Sequence, residues 1–388
     1  MKYDNQLRYA LQILDEFQNQ MPLNAWLRNF FRLHKQMGSS DRKQISAMLY
    51  SYYRLGHAQQ DIPKDERILL GLYLCNHEPN ELLDHFKSEW NSQIHLPVEQ
   101  KISSLNPEEI FPWKEQLSEG IDHKRLCLSF LQQPDLFIRI RPGREDFVVQ
   151  KLTEQGWPFE KISGRTIRLD NGVKIENLFR INADVVIQDL NSQRVAEFFP
   201  GIHETASDSG NRINVWDCCA GSGGKTILLS DYLPGIRITV SDIRESILAN
   251  LKIRLGQADI HEFNSQVADL SDSKSSIRIF GSPFDMILAD APCSGSGTWS
   301  RNPESLYFFD PKKIETFYQL QKKILTNILP HLISRGQLIY VTCSVFRKEN
   351  EEIANFIKDQ FGMHVVSQNL LGGYSQRADS LFVAKAKF

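Results

Sequence analysis

Apolar residues recur at helical spacing through the first third of the chain, then give way to short alternating runs. Leu7, Leu11 and Leu14 repeat at the period of a helix with one buried side. Ser40-Asp41 stands where a cap would, ahead of Ile45, Met48, Leu49, Tyr52 and Tyr53, and Gly56 supplies the stop. Pro63 opens a helix through Leu70 and Tyr73, and Asn80 precedes Leu82, Leu83, Phe86 and Trp90. Asn106-Pro107 reads as a cap followed by a first-turn proline. The pattern predicts a helical domain over residues 1–128.

From about residue 130 the period changes. Leu136-Phe137-Ile138-Arg139-Ile140-Arg141 alternates like a half-buried strand with its arginines exposed. Glu145 to Gln155 is helical. Thr166–Leu169 and Val173–Ile175 flank Asp170-Asn171-Gly172, a hairpin signal, and Val185–Ile187 is a further strand. Residues 129–204 therefore read as a small α/β unit, a candidate RNA-binding sheet. The polar stretch His203–Asn211 reads as a linker. Beyond it, strands at Ile213–Cys218, Ile236–Ser241, Asn264–Ala268, Phe284–Asp290, Gln337–Thr342, His364–Val366 and Leu381–Ala386 alternate with helices such as Lys225–Tyr232 and Lys312–Leu332. That alternation predicts a doubly wound, mostly parallel α/β sheet over residues 205–388, with ligands at the carboxyl ends of its strands.

Composition narrows the class. The 388 residues are 41% hydrophobic and 24% charged, ordinary for a globular protein. No apolar run approaches the roughly 20 residues that cross a bilayer. The polar start, Met1-Lys2-Tyr3-Asp4-Asn5-Gln6, lacks a signal-peptide core, so a cytoplasmic location is expected. The net charge of −2 excludes a polycation. Residues 124–181 nevertheless carry eleven basic against seven acidic residues, and Arg28, Arg32, Lys35, Arg42 and Lys43 form a possible basic face. The six cysteines include no C-x-x-C pair, and no H-E-x-x-H occurs, so no metal site is expected.

Three loops that follow apolar strands carry the candidate chemistry. The first is Asp217-Cys218-Cys219-Ala220-Gly221-Ser222-Gly223-Gly224-Lys225-Thr226. A phosphate-binding loop needs glycine where Cys219 stands, and a dinucleotide loop needs glycine where Thr226 stands. S-adenosylmethionine has no pyrophosphate, so small residues from Cys219 to Gly224 suffice. Asp242 would then receive the ribose hydroxyls, a role it could equally play for NAD, and Asp269 the adenine amino group. The other two loops, Asp290-Ala291-Pro292-Cys293-Ser294-Gly295-Ser296-Gly297 and Thr342-Cys343-Ser344, each bring a thiol to a strand end. A single cysteine is more often a small buried core residue. Two at the ligand-binding edge suit covalent activation of a pyrimidine: a thiolate adds to carbon 6, and carbon 5 becomes nucleophilic. Cys343, Cys293 and Asp290 fit the nucleophile, the exit step and ring activation.

At these residues the chain resembles the Sun/Fmu-type RNA cytosine-C5 methyltransferases. The Asp290–Gly295 loop and the Thr342-Cys343-Ser344 turn match that family's two signature motifs. The resemblance implies that Cys343 is the nucleophile, that Cys293 assists release, and that Asp290 lies by the cofactor and the target base. The family's glycine turn reads Cys-Ala-Ala-Pro-Gly-Gly-Lys; here it is Cys219-Ala220-Gly221-Ser222-Gly223-Gly224-Lys225. Asp242 and Asp269 match its two other cofactor acids. Gln188-Asp189-Leu190-Asn191-Ser192-Gln193 and Arg301-Asn302-Pro303 resemble further family segments, and Gly38–Ile45 resembles a NusB-like helical domain. The resemblance implies a Rossmann-like S-adenosylmethionine-dependent domain preceded by an RRM-like unit and a NusB-like domain. The implied substrate is cytosine in 16S ribosomal RNA, with transfer RNA as the alternative.

Two other classes stay open. Tyr318-x-x-x-Lys322 has the spacing of a short-chain NAD-dependent reductase, but that reading leaves both thiols unused. A non-catalytic RNA-binding assembly factor would fit the altered glycine turn but needs neither cysteine.

Overall fold

The helical stripes fold much as their spacing dictates, with small shifts in which residues face inward. In the computed structural model, which describes residues 2–102, 105–200, 212–272 and 283–388, the first helix is Tyr3–Glu16. It buries Gln6, Ala10, Ile13 and Leu14, leaving Leu7 and Leu11 at the margin of the stripe. Further helices are Leu23–Leu33, Ser39–Arg54, Lys64–Cys75 and Glu81–Ser92. The Ser39–Arg54 helix is capped at Gly38, whose N–H donates to the Asp41 carboxylate at 3.2 Å, so the start lies just ahead of Ser40. The Asn80 side chain accepts the N–H groups of Leu82 and Leu83 at 2.9 and 3.2 Å. Gly56 sits at φ +51°, and a Cβ there would stand 2.2 Å from the Ile110 carbonyl oxygen.

The chain divides into two compact units. The first comprises Met1–Leu117, Ile121–Pro134 and a segment from much later, Thr298–Pro311. The late segment is integral to that unit. Its helix, Pro303–Tyr307, buries Leu306, and the Glu304 carboxylate accepts the Leu23 N–H at 3.0 Å, capping the second helix. The His57 ring lies 3.0 Å from the Leu306 carbonyl oxygen, and the Tyr52 and Tyr307 hydroxyls meet at 3.3 Å.

The second unit comprises Ser118–Gly120, Asp135–Gly297 and Lys312–Phe388, and holds two sheets. The smaller has strands β1 (Leu136–Ile140), β2 (Phe159–Lys161), β3 (Thr166–Leu169) and β4 (Val185–Ile187) in the order β2-β3-β1-β4, all antiparallel. The hairpin expected around Asn171-Gly172 does not form. Gly172 does turn the chain, at φ +92°, but β1 and β2 already occupy both edges of β3 and leave no edge for residues 173–175. Nor is β1 half-buried. Ile138 and Ile140 pack with Val148, Leu152 and Ile167 on one side. On the other side, Arg139 is 1% exposed and paired with Asp231, and its Nε donates to Gln188 at 2.9 Å. Arg141 pairs with the same Asp231 at 3.0 Å. These arginines are internal ties rather than surface charges. A buried cation keeps its place only with such partners.

The larger sheet has β5 (Asn214–Asp217), β6 (Arg237–Asp242), β7 (Phe263–Val267), β8 (Phe284–Asp290), β9 (Leu332–Thr342), β10 (His364–Leu371) and β11 (Leu381–Lys387). Their order is β7-β6-β5-β8-β9-β11-β10, with only β11 running against the others. This is the doubly wound, Rossmann-like arrangement. Its central strands are apolar on both sides because helices cover both faces. Trp216, Ile287 and Tyr340 pack with Ile324, Ile328 and Ile353 on one face, and Val215, Leu288 and Val341 pack with Leu228 and Leu229 on the other. The order reverses between β5 and β8, which places a crevice at their carboxyl ends. The linker expected at 203–211 lies outside the described residues.

The Gln188–Gln193 segment joins the two sheets. Asp189 caps the helix Leu190–Arg194 and accepts the Asp379 N–H at 3.0 Å. Asn191 donates to the carbonyls of Leu371 and Asp379 at 3.0 and 2.7 Å, and Gln193 accepts the Thr166 hydroxyl at 2.8 Å.

Candidate active site

Four loops at the carboxyl ends of β5, β6, β7 and β8 enclose a cleft of about 460 Å³. Cys218, Cys219 and Gly221 come from the first, Asp242, Ile243 and Arg244 from the second. Ala268–Ser271 and then Asp290, Pro292 and Cys293 complete it, with Leu320 and Ile324 as one wall. The glycine turn is anchored from below. Cys218 N–H donates to the Leu288 carbonyl at 3.0 Å, and Ala220 N–H to the Ser241 carbonyl at 2.9 Å. Gly221 adopts φ +52° and Gly223 φ +86°, where a Cβ would lie 3.0 Å from the Leu251 side chain. Ser222 stands where the family motif has proline, and Arg254 holds both its carbonyl and its hydroxyl at 2.9 Å.

Asp242 accepts the Gly221 N–H at 3.0 Å and pairs with Arg244, which is 61% exposed along its side chain. Burial would raise its pKa, but the Arg244 and Gly221 hydrogen bonds prevail and hold it below the usual carboxylate value. Asp269 accepts the Ser271 N–H and hydroxyl at 2.9 and 2.6 Å, which lowers its pKa as well. Among the described residues the cleft thus presents Asp242, Asp269 and Asp290 with Arg244 as its only cationic lining residue, and the Gly221 N–H is already spent on Asp242. Such a lining repels a pyrophosphate and suits a cationic sulfonium beside a ribose diol. The residues therefore fit S-adenosylmethionine better than a dinucleotide.

The two thiols lie 3.4 Å apart, sulfur to sulfur. Gly297 stitches their loops: its N–H donates to the Cys343 carbonyl, and its carbonyl accepts the Ser380 N–H, both at 2.9 Å. Lys225 leaves the glycine turn and donates to Asp290 at 2.7 Å. Burial opposes its charge, but Asp290, and then the Cys343 and Asp217 charges, raise its pKa above the ordinary lysine value. The Cys293 thiol is pushed well above its usual value by its hydrogen bond with Cys343, then by burial and by the Cys343 and Glu349 charges. The Glu349 charge thus acts on Cys293, while Lys225 is committed to Asp290.

Asp217 lies fully buried beneath the turn, accepting the Thr226 hydroxyl at 2.7 Å. Burial, reinforced by Asp290 and Asp242, pushes its pKa up to about 7 despite Thr226 and Lys225. An acid whose folded pKa is raised stabilises the fold fully below its unfolded value, and that stability is lost as pH rises through the folded pKa. Asp217→Asn should remove this loss. In urea unfolding, the stability of the wild type relative to Asp217→Asn should fall by up to ~4 kcal/mol between pH 4 and 8. A difference that does not change with pH would refute the assignment.

Of the residues singled out in the sequence, Cys219, Gly221, Asp242, Asp269, Asp290 and Cys293 line the cleft. Ala220 is buried behind it, Ser222 is tied to Arg254, and Gly223 and Gly224 start the helix Gly224–Tyr232. Lys225 serves Asp290, and Cys343 stands beside Cys293 rather than in the cleft lining. Sequence reasoning missed Arg244, the apolar walls Ile243, Leu270, Leu320 and Ile324, and Glu349. Ile243 and Arg244 directly follow Asp242, so adjacency alone could have flagged them. The Tyr318 and Lys322 of the reductase pattern do not line the cleft; Lys322 lies over the Tyr318 and Phe356 rings at 5.2 and 4.7 Å.

Several known proteins are similar to this chain. Ribosomal RNA small subunit methyltransferase B of Proteus mirabilis is 33% identical over 232 residues, covering 58% of this chain and 52% of its own length. The chain therefore spans about half of that relative. The probable ribosomal RNA small subunit methyltransferase B of a Synechocystis strain is 26% identical, covering 90% of this chain and 71% of its own. The crystal structure of NSun6 from Pyrococcus horikoshii with SFG superposes with a TM-score of 0.57 at 12% identity, covering 69% of this chain and 94% of that one. Residues 205–381 match the family model described as 16S rRNA methyltransferase RsmB/F. That segment carries the glycine turn and both thiols, so the similarity to the RsmB/F methyltransferases covers the candidate active site.

Proposed function

We propose that this protein methylates carbon 5 of a cytosine in RNA, most directly 16S ribosomal RNA, using S-adenosylmethionine. The observation that carries the reading is the pair of thiols 3.4 Å apart at the carboxyl edge of the sheet, beside the acidic cleft. When bound, S-adenosylmethionine would supply an electrophilic methyl group. Asp242 would hold the ribose hydroxyls, Asp269 the adenine amino group, and the small residues of the glycine turn the methionine portion. Cys343 adds to carbon 6 of the cytosine ring. Asp290, itself held by Lys225, supports ring activation. Release then requires loss of the carbon-5 proton and expulsion of Cys343, the step Cys293 serves. A cytosine within a duplex must first be flipped out or already lie unpaired.

The organisation we propose is a helical NusB-like domain over 1–128, completed by Thr298–Pro311, a small RRM-like unit over 129–204, and a catalytic domain over 205–388 apart from that late segment. Arg28, Arg32, Lys35 and Lys43, all exposed, offer the helical domain a face for phosphate. The small unit, with both sides of β1 covered, braces the catalytic sheet more than it presents a free surface.

The test is methyl transfer from labelled S-adenosylmethionine to unmodified total RNA, followed by digestion to nucleosides. Label in 5-methylcytidine of small-subunit RNA is the expected result. Label in transfer RNA would move the substrate, and label in any other nucleoside would overturn the two-thiol mechanism.

A further inference from the structure

Beneath the two thiols lies a buried polar network that the reaction described so far does not use. Glu349 is 0% exposed, and no cation pairs with it among the described residues. Its two carboxylate oxygens accept the Ser294 N–H at 3.1 and 3.3 Å, and one accepts the Ser294 hydroxyl at 3.0 Å. The Ser344 hydroxyl also bonds to it. Ser294 follows Cys293 and Ser344 follows Cys343, so one carboxylate grips the residue next to each thiol. Ser296 closes the network, 3.1 Å from Ser294 and 3.2 Å from Ser344, while accepting the Val345 N–H at 2.9 Å. The Glu349 carbonyl is itself fixed by the buried Tyr340 hydroxyl at 2.8 Å.

A buried carboxylate is costly unless it is paired or well hydrogen-bonded. Two serines could be linked without a charge. Burial raises the pKa of Glu349, its hydrogen bonds with Ser344 and Ser294 oppose that shift, and its charge disfavours a second anion on the adjacent Cys293. Of the two possible donors across the 3.4 Å sulfur–sulfur contact, this arrangement selects Cys293.

We propose that Glu349 is a positioning residue that clamps both cysteine loops and keeps Cys293 a thiol, so that its S–H donates to the Cys343 sulfur. This rests on the cytosine-methylation reading. In the release step the carbon-5 hydrogen leaves as a proton to water, and its bonding pair becomes the carbon 5–carbon 6 double bond. The carbon–sulfur pair departs on Cys343, and the Cys293 S–H stabilises the thiolate that forms. Cys293 acts here by donating a hydrogen bond and not by taking the carbon-5 proton.

Glu349→Gln tests this in the full chain, because glutamine keeps one acceptor oxygen for Ser294 while removing the charge. Ser294→Ala is the second variant, since it keeps the carboxylate and the backbone N–H. The first measurement needs neither RNA nor cofactor: the rate at which iodoacetamide captures the Cys293 peptide as a function of pH, read by mass spectrometry. Capture at pH 8 should rise about tenfold in Glu349→Gln and less in Ser294→Ala. The second is the share of RNA held covalently at steady state. It should rise several-fold in Glu349→Gln while first-turnover methylation is retained. An unchanged Cys293 profile, or a covalent share equal to that of the wild type, overturns the proposal. If Glu349→Gln does not fold, an unchanged profile in Ser294→Ala overturns it instead. Should the wild type methylate no RNA, the functional reading falls, and the alkylation profile alone decides the role of Glu349.

Discussion

Cys343→Ala should abolish methyl transfer, by about four orders of magnitude or more, because removing a covalent nucleophile removes the pathway itself. Cofactor binding should survive, since Cys343 does not line the cleft. Cys293→Ala should behave differently. It keeps the nucleophile and loses the thiol 3.4 Å away, so the first turnover proceeds and the product stays attached. On a denaturing gel, Cys293→Ala should show a protein–RNA band that requires S-adenosylmethionine, and Cys343→Ala should show none. The band appearing in Cys343→Ala and not in Cys293→Ala would exchange the two roles. Its absence from both would remove the covalent mechanism.

Gly297→Ala should cost about 3 kcal/mol of stability or more. A Cβ at Gly297 would stand 2.0 Å from the Ser380 carbonyl oxygen and 3.1 Å from that of Cys343. Both are backbone atoms, so no rotamer change can make room. Separating them breaks the 2.9 Å hydrogen bonds that join this loop to its two neighbours. Gly224→Ala provides the contrast, for a Cβ there meets open space in the first turn of a helix. It should stay within about 0.5 kcal/mol of the wild type in urea unfolding. Equal losses in the two variants would show that the close approach at Gly297 carries no special weight.

What the sequence reveals depends on how local the signal is. The central strands of the large sheet are legible because burial on both faces makes them continuous apolar runs. Phe284–Asp290 matches residue for residue. The glycine turn and the two thiol loops are legible because their chemistry sits within a few consecutive residues. Boundaries fail where hydrophobicity is indifferent to period. The helix expected to reach Leu332 stops at Ile328, and Leu332 instead opens β9. Arg139 fails for a deeper reason. Alternation of apolar and charged residues signals a solvated face, yet its partner Asp231 arrives from a helix 92 positions later. Glu349 is hidden in the same way, 55 positions from Ser294, and nothing near it in sequence announces that it joins two loops. Long-range pairing turns both charges from surface features into internal ones.

The late segment Thr298–Pro311 has a consequence for the order in which the protein can assemble. A domain made of consecutive residues can fold as soon as it leaves the ribosome, ahead of whatever follows. The helical unit is not of that kind, because Leu306 and Glu304 fill and cap helices that begin near residue 23. Its contacts therefore close loops of more than two hundred residues, Leu23 to Glu304 spanning 281. Closing so long a loop is slow relative to local helix formation. The amino-terminal helices, though synthesised first, reach their final packing only after the Cys293 loop has been made. Vectorial synthesis thus ties completion of the first unit to emergence of the reactive loop that immediately precedes its last segment.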